Sequence, residues 1–218
     1  MCCTRCAPVQ SIPGLTSHLM QDNGTQHQQR MARKKAVIDT AIAEADQDKG
    51  LLLVLTGNGK GKSSSAFGMV ARTLGYGLKI GVVQFIKSRR DTGEEKFFGQ
   101  QPGVQWQVLG AGFTWDTQDR AADIASAQSA WKVAQGFLGD ASLHLVVLDE
   151  LTYLLNYGYL DAQQVCADLA ARPPTQHVVI TGRAAPQSLL DMADTVSEIR
   201  DVKHAFRAGV RAQPGIDL

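Results

Sequence analysis

The stretch "LLLVLTGNGKGKSSSAFGM" (51–69) constrains this chain more than any other. A continuous apolar run ends in a glycine-rich loop, and the loop leads directly into helix-forming residues. An apolar run without alternation reads as a strand covered on both faces, the pattern of a parallel sheet. Parallel neighbours require crossovers, which are usually helices. The rest of the chain follows the same grammar. Apolar strands are expected at 51–56, 79–86, 143–150 and 177–182, an alternating strand at 104–109, and a closing edge strand at 195–202. Helices are expected at 62–74, 119–138, 161–171 and 186–193. The fold class is therefore α/β, with a mainly parallel sheet flanked by helices. Residues 87–103, polar with Gly and Pro, read as a mobile loop, and the basic tail from Lys203 reads as irregular.

Ahead of the first strand lie two segments of different character. Residues 1–26 contain Pro8, Pro13, Gly14 and Gly24 among polar residues and read as a flexible extension. It carries Cys2, Cys3 and Cys6, but no second ligand pair or nearby histidine completes a zinc site around that C-x-x-C. Residues 27–48 favour a helix, with Ala36, Val37, Ile38, Ala41 and Ile42 gathered on one side. On this reading 27–218 is a single domain that opens with an N-terminal helix.

Charge narrows the function classes. With 22 basic and 21 acidic residues, the net charge is +1, which argues against nucleic-acid or membrane-surface partners. No apolar run approaches the roughly 18 residues of a membrane span, and the N-terminus lacks a signal-peptide core, so a cytoplasmic location is expected.

The glycine loop points to phosphate. Gly61, Lys62 and Ser63 match the end of G-x-x-x-x-G-K-[ST], but the leading glycine position holds Thr56. Between a strand and a helix, backbone N–H groups of such a loop converge on an anion. The nucleotide-binding candidates are Gly57, Asn58, Gly59, Lys60, Gly61, Lys62, Ser63 and Ser64. Lys62 would contact a terminal phosphate, and the Ser63 hydroxyl would reach Mg²⁺ or Mn²⁺. A magnesium–phosphate site takes a carboxylate from the end of a neighbouring apolar strand. "LVVLDE" supplies Asp149 and Glu150 there; the lesser alternative is an acidic pair that caps the next helix. Arg183, after the 177–182 strand, is a further phosphate or ribose candidate. To this point the residues indicate nucleotide and metal binding. Hydrolysis, phosphoryl transfer and other attacks on ATP stay open, as does a nucleotide-dependent binding module.

Five separated stretches in order then carry a resemblance: "TGNGKGKSSSAFGMVARTLGYGLKIGVVQFIK", "GFTWDTQ", "VVLDELTYLLNYGYL", "ITGRAAPQSLLDMADTVSEI" and "KHAFRAGVRAQPGID". Together they closely resemble the ATP:corrinoid adenosyltransferases of the CobA/BtuR/CobO type, over about residues 27–218. The resemblance implies a P-loop, RecA-like fold and transfer of the 5′-deoxyadenosyl group of ATP to Co(I) of a reduced corrinoid, with triphosphate leaving. It implies that Thr56 belongs to the family's own loop, which holds triphosphate in reversed orientation. It also implies that Phe113 and Trp115 face the corrin and displace the lower cobalt ligand, which eases reduction to Co(I). Lys62, Phe113 and Trp115 are thus the catalytic candidates. The 27–48 helix becomes a candidate lid over the corrinoid, and His204 and Arg207 match a motif of the family's tail. A flavoprotein reductant and a homodimer are the partners this resemblance suggests. A phosphotransferase or ATPase of the P-loop class is the alternative.

Overall fold

The computed structural model describes residues 15–86, 92–109 and 119–217. The chain divides into two units, residues 1–48 and 49–218. The first holds helix α1 (Leu15–Glu44), whose residues from Thr25 onward are all exposed, Met31, Val37, Ile38 and Ile42 included. Its bounds differ from the expected 27–48. The helix starts earlier because the lone Gly24 costs only about 1 kcal/mol inside a helix. It stops at Glu44 because Asp46 and Asp48 would set negative charge at the negative end of the helix dipole.

The second unit is built on strands β1 (Leu52–Thr56), β2 (Ile80–Gln84), β3 (Val104–Val108), β4 (Leu145–Asp149), β5 (His177–Thr181) and β6 (Thr195–Glu198). They form a six-stranded sheet in the order β3-β2-β4-β5-β1-β6, and every pairing is parallel. The expected edge strand is β6, which pairs only with β1 and is exposed throughout. The connections carry α2 (Lys62–Gly75), α3 (Gly93–Phe98), α4 (Arg120–Gly139), α5 (Leu151–Asn156), α6 (Ala162–Ala170) and α7 (Gln187–Met192).

Alternation along each buried strand splits the core in two. Val54, Val83, Phe85, Val146, Leu148, Val178 and Ile180 face one side, where Trp131 and Leu138 of α4, Leu154 of α5, Val165 and Leu169 of α6 and Leu189 of α7 cover them. Leu55, Ile80, Val82, Leu145, Val147 and Val179 face the other side, against Phe67 and Val70 of α2 and Phe98 of α3. Each such fully buried side chain contributes about 1.5–3 kcal/mol.

Helices α3 and α5 depart from the sequence reading. The first lies inside the stretch expected to be a mobile loop. The Thr92 side chain caps it by accepting the Glu95 N–H, and Phe98 is buried beside Phe67 and the Trp106 ring, which stand 5.2 Å apart. Two well-placed aromatics and a cap suffice where composition alone reads as loop. Helix α5 follows β4 with only Glu150 between them, and at six residues it is too short to show a helical period. The tail likewise contains a short 3₁₀ turn, Ala205–Ala208, capped by His204.

The edge of the sheet at the strand N-termini is held by polar contacts. The Leu51 N–H donates to His177 Nδ1 at 3.0 Å, and the His177 and His144 rings lie 4.9 Å apart. Arg172 donates to the carbonyls of Leu169, Gln176 and Gly50. Burial pushes the His177 pKa down, and His144 and Arg172 push it further. The folded chain therefore holds His177 neutral, whereas the unfolded chain takes up a proton near the ordinary value of about 6.5. Its stabilisation is complete above that value and is lost as pH falls through the lowered folded one. Thermal unfolding at pH 7.5 and 5.5 should thus show a smaller acid-induced drop in Tm for His177→Gln than for the wild type. Equal drops in the two proteins would contradict this assignment.

Candidate functional site

The glycine loop between β1 and α2 lies against the segment that follows β6. The Gly59 N–H donates to the Ile199 carbonyl at 2.7 Å, and the Ile199 N–H donates to Thr56 O at 2.8 Å. A Cβ on Gly57 would stand 2.5 Å from Ile199 O, and one on Gly59 would stand 2.6 Å from Arg200 O, so no side chain fits at either place. Gly61 has open space around it but a φ of 122°, which only glycine adopts readily. Helix α2 then begins at Lys62 with no side chain capping it, which leaves its first N–H groups available to an anion.

Lys62 is 6% exposed, and its Nζ donates to the Gly59 carbonyl at 2.8 Å, which curls the loop around the ammonium. Burial lowers the Lys62 pKa from the ordinary lysine value. Glu150 opposes this, Arg183 adds to it, and Asp149 opposes it. These influences place both strand-end acids and the arginine in the electrostatic surroundings of the loop lysine.

Asp149, the last residue of β4, is 1% exposed. Its Oδ2 accepts from Gln84 Nε2 at 2.9 Å and its Oδ1 from Thr181 Oγ1 at 2.7 Å. Gln84 and Thr181 are the last residues of β2 and β5, so the carboxylate ties together the C-terminal ends of three adjacent strands. The Thr181 hydroxyl also accepts the Glu150 N–H at 2.9 Å. Glu150 takes a left-handed conformation with φ 63°, unusual for a residue with a side chain. Asp149 is thereby built into the sheet, whereas Glu150 lies on the wall of the cavity above the loop.

That cavity has a volume of about 590 Å³. Asn58, Gly59, Lys60, Gly61, Lys62, Ser63 and Ser64 line it, as do Glu150 and Arg183. The sequence candidates from 58 to 64 thus meet the second strand-end acid and the arginine at one place. Gly57 and Asp149 stand behind the wall as supports. Arg183 is set by its own backbone, because its carbonyl accepts from Thr152 Oγ1 at 2.7 Å and Asn156 Nδ2 at 3.0 Å, both on α5. Phe113 and Trp115 lie outside the described residues, as do Cys2, Cys3 and Cys6.

Further residues contribute beyond the site candidates read from the sequence. Thr56, at the position of the missing glycine, accepts the Ala185 N–H on its Oγ1 at 3.2 Å and so fastens the loop to the segment carrying Arg183. Thr92 and Phe97 of the α3 region line the cavity, and so do His204, Ile216 and Asp217 of the tail. Gln84 and Thr181 left a faint signal, as polar residues within otherwise apolar strands. His204 stood out only through the tail motif of the family resemblance, and Ile216 and Asp217 in the same stretch had no role of their own, because only folding brings them to the loop.

Comparison with known proteins addresses the same residues. The family model for "ATP:corrinoid adenosyltransferase BtuR/CobO/CobP" matches residues 48–218, and that for "Cob(I)alamin adenosyltransferase N terminal" matches 20–42. A corrinoid adenosyltransferase of Pseudomonas aeruginosa is 58% identical over 193 residues, covering 88% of this chain and 95% of its own. Corrinoid adenosyltransferases of Escherichia coli and Salmonella typhimurium are each 49% identical over 191 residues, covering 88% of this chain and 97% of their own.

The strand-end network makes a prediction. Thr181→Val keeps the shape but removes the donor to Asp149 and the acceptor for Glu150. The variant should lose about 1–3 kcal/mol of stability in urea unfolding. Calorimetry should also show weaker ATP binding, since Glu150 loses its backbone anchor. Wild-type values in both measurements would mean that the network does not support the site.

Proposed function

The chain belongs to the ATP:corrinoid adenosyltransferase family, and from that membership we propose that it transfers the 5′-deoxyadenosyl group of ATP to the Co(I) of a reduced corrinoid and releases triphosphate. The observation that carries the reading is the single cavity that joins loop residues 58–64 to Glu150 and Arg183, in a chain 58% identical to a corrinoid adenosyltransferase.

In this reaction the cobalt supplies the electron pair. It attacks C5′, the C5′–O bond breaks, and that bond's electrons leave on the triphosphate. A Co(I) nucleophile requires no general base, so the tasks left to the protein are alignment and stabilisation of the leaving charge. The N-terminus of α2 and the Lys62 ammonium suit the second task. Burial keeps that ammonium poorly hydrated, which strengthens its attraction for a phosphate oxygen. Lys60 and Arg183 add further cations on the same cavity wall. Thr56 keeps the loop and the Arg183 segment together while the phosphates are bound.

The residues fit a magnesium ion. Ser63 and Glu150 offer hard oxygen donors on the cavity wall, and Asp149 stands behind them with Gln84. Gln84 Oε1 is buried without a hydrogen-bond partner among the described residues, an acceptor that a metal-bound water would satisfy. Among the described residues no cluster of three or more His, Cys, Asp or Glu forms a complete cage. This suits a cation held by one or two carboxylates together with substrate phosphates. When bound, the ion neutralises charge on the triphosphate. We assign Ser63 and Glu150 as its contacts, with Asp149 helping to hold the Glu150 backbone through Thr181.

Phe113 and Trp115 complete the reading as the aromatics that meet the corrin, supported by the family resemblance of "GFTWDTQ". Among the described residues no helix is long and apolar enough to cross a membrane.

Incubation with ATP, Mg²⁺ and chemically reduced cobalamin should give the absorbance spectrum of adenosylcobalamin together with inorganic triphosphate. ADP and phosphate formed without corrinoid would instead indicate a phosphotransferase or ATPase. Trp115→Ala should slow adenosylation from Co(II) plus reductant far more than from pre-reduced Co(I), and equal losses in both would remove Trp115 from this role. Lys62→Met should lower kcat/KM by about 10²–10³-fold, the scale for losing one main group that stabilises developing charge.

A further inference from the structure

The C-terminal segment reaches the phosphate cavity and places a carboxylate on the loop. Asp217 Oδ1 lies 2.6 Å from Lys60 Nζ, and the two side chains are 26% and 44% exposed. The Asp217 N–H donates to the Gln213 carbonyl at 2.8 Å, and the Gln213 N–H donates to Asp217 Oδ2 at 3.0 Å, so a closed turn presents the carboxylate. His204, Gly215, Ile216 and Asp217 all stand on the cavity wall together with Lys60, Lys62 and Ser63. The hydrogen bond from Lys60, then that from Gln213, holds the Asp217 carboxyl below the usual carboxylate range. The group is therefore an anion throughout the neutral range, seated on a cation of the phosphate loop.

A carboxylate oxygen on a lysine ammonium has the charge and hydrogen-bonding chemistry of a phosphate oxygen in the same place. We propose that Asp217 is an internal counter-anion for Lys60, displaced when a polyphosphate enters the cavity and returning to Lys60 when it leaves. The exchange lowers the affinity of the loop for polyphosphate and speeds its departure. Within the adenosyl-transfer reading, on which this role rests, the species that must depart is triphosphate. It is highly charged and leaves from a site with two further cations, Lys62 and Arg183. Asp217 is then the residue that keeps the product from holding the enzyme. The pair is partly exposed, so its effect is modest and decreases with salt.

The test is equilibrium binding of inorganic triphosphate, with Mg²⁺ and without corrinoid, to the full chain. Asp217→Asn should bind about threefold more tightly than wild type at low ionic strength, the scale of a partly exposed ion pair. Asp217→Glu, which keeps the charge, should bind like wild type. In a Lys60→Met background, Asp217→Asn should produce no further change, because the cation it restrains is gone. Weaker or unchanged binding by Asp217→Asn would overturn the proposal. So would the same tightening in the Lys60→Met background, which would reduce the effect to bulk charge. Because the assay contains no corrinoid, its outcome is separate from that of adenosyl transfer. A wild-type protein that makes no adenosylcobalamin would sink the reading of the reaction, whereas a failed binding cycle would sink only the role of Asp217.

Discussion

The buried Asp149 carboxylate is the contact on which the rest of the site depends. A buried charge is costly unless it is paired or fully hydrogen-bonded, and here Gln84 and Thr181 meet that requirement. Because these are the last residues of β2 and β5 on either side of β4, satisfying the acid also fixes where three strands end. Thr181 then uses the same hydroxyl to hold the Glu150 backbone, whose left-handed turn starts α5 and places Glu150 on the cavity wall. Helix α5 in turn holds the Arg183 carbonyl through Thr152 and Asn156. A single buried carboxylate thus organises two residues of the cavity wall.

The loop is secured from the other side by steric fit. Gly57 and Gly59 are bare because the backbone at Ile199 and Arg200 occupies the space of a Cβ. The edge strand β6 is exposed and short, yet the segment directly after it acts as a wall for the phosphate loop. Thr56 adds a hydrogen bond to the β5–α7 connection that a glycine in its place could not make. The departure from the usual phosphate-loop pattern is therefore also a structural fastening, and the loop and Arg183 are held to one framework.

Much of the fold was legible because its strands are buried on both faces. "LHLVVLDE" and "HVVITG" read as covered strands, and the helices between them left ordinary start and stop signals. Helices α3 and α5 were not legible, since six residues span under two turns and their stability comes from Phe98 and Leu154 packing into separate cores. The start of α1 was misplaced for the opposite reason, a glycine given more weight than it costs.

The sequence by itself determined the chemistry of the phosphate loop. The order of strand, glycines, Lys62 and Ser63 needs only local backbone geometry to become an anion site, and "LVVLDE" needs only to be the end of a strand to offer an acid. Tertiary structure alone decided where each acid lies. Asp149 and Glu150 are neighbours in sequence, but one is sealed between Gln84 and Thr181 and the other lies on the cavity wall. It alone also brought Asp217 to Lys60, far apart in the chain, because a carboxylate finds a distant lysine only after the sheet has set where both segments run.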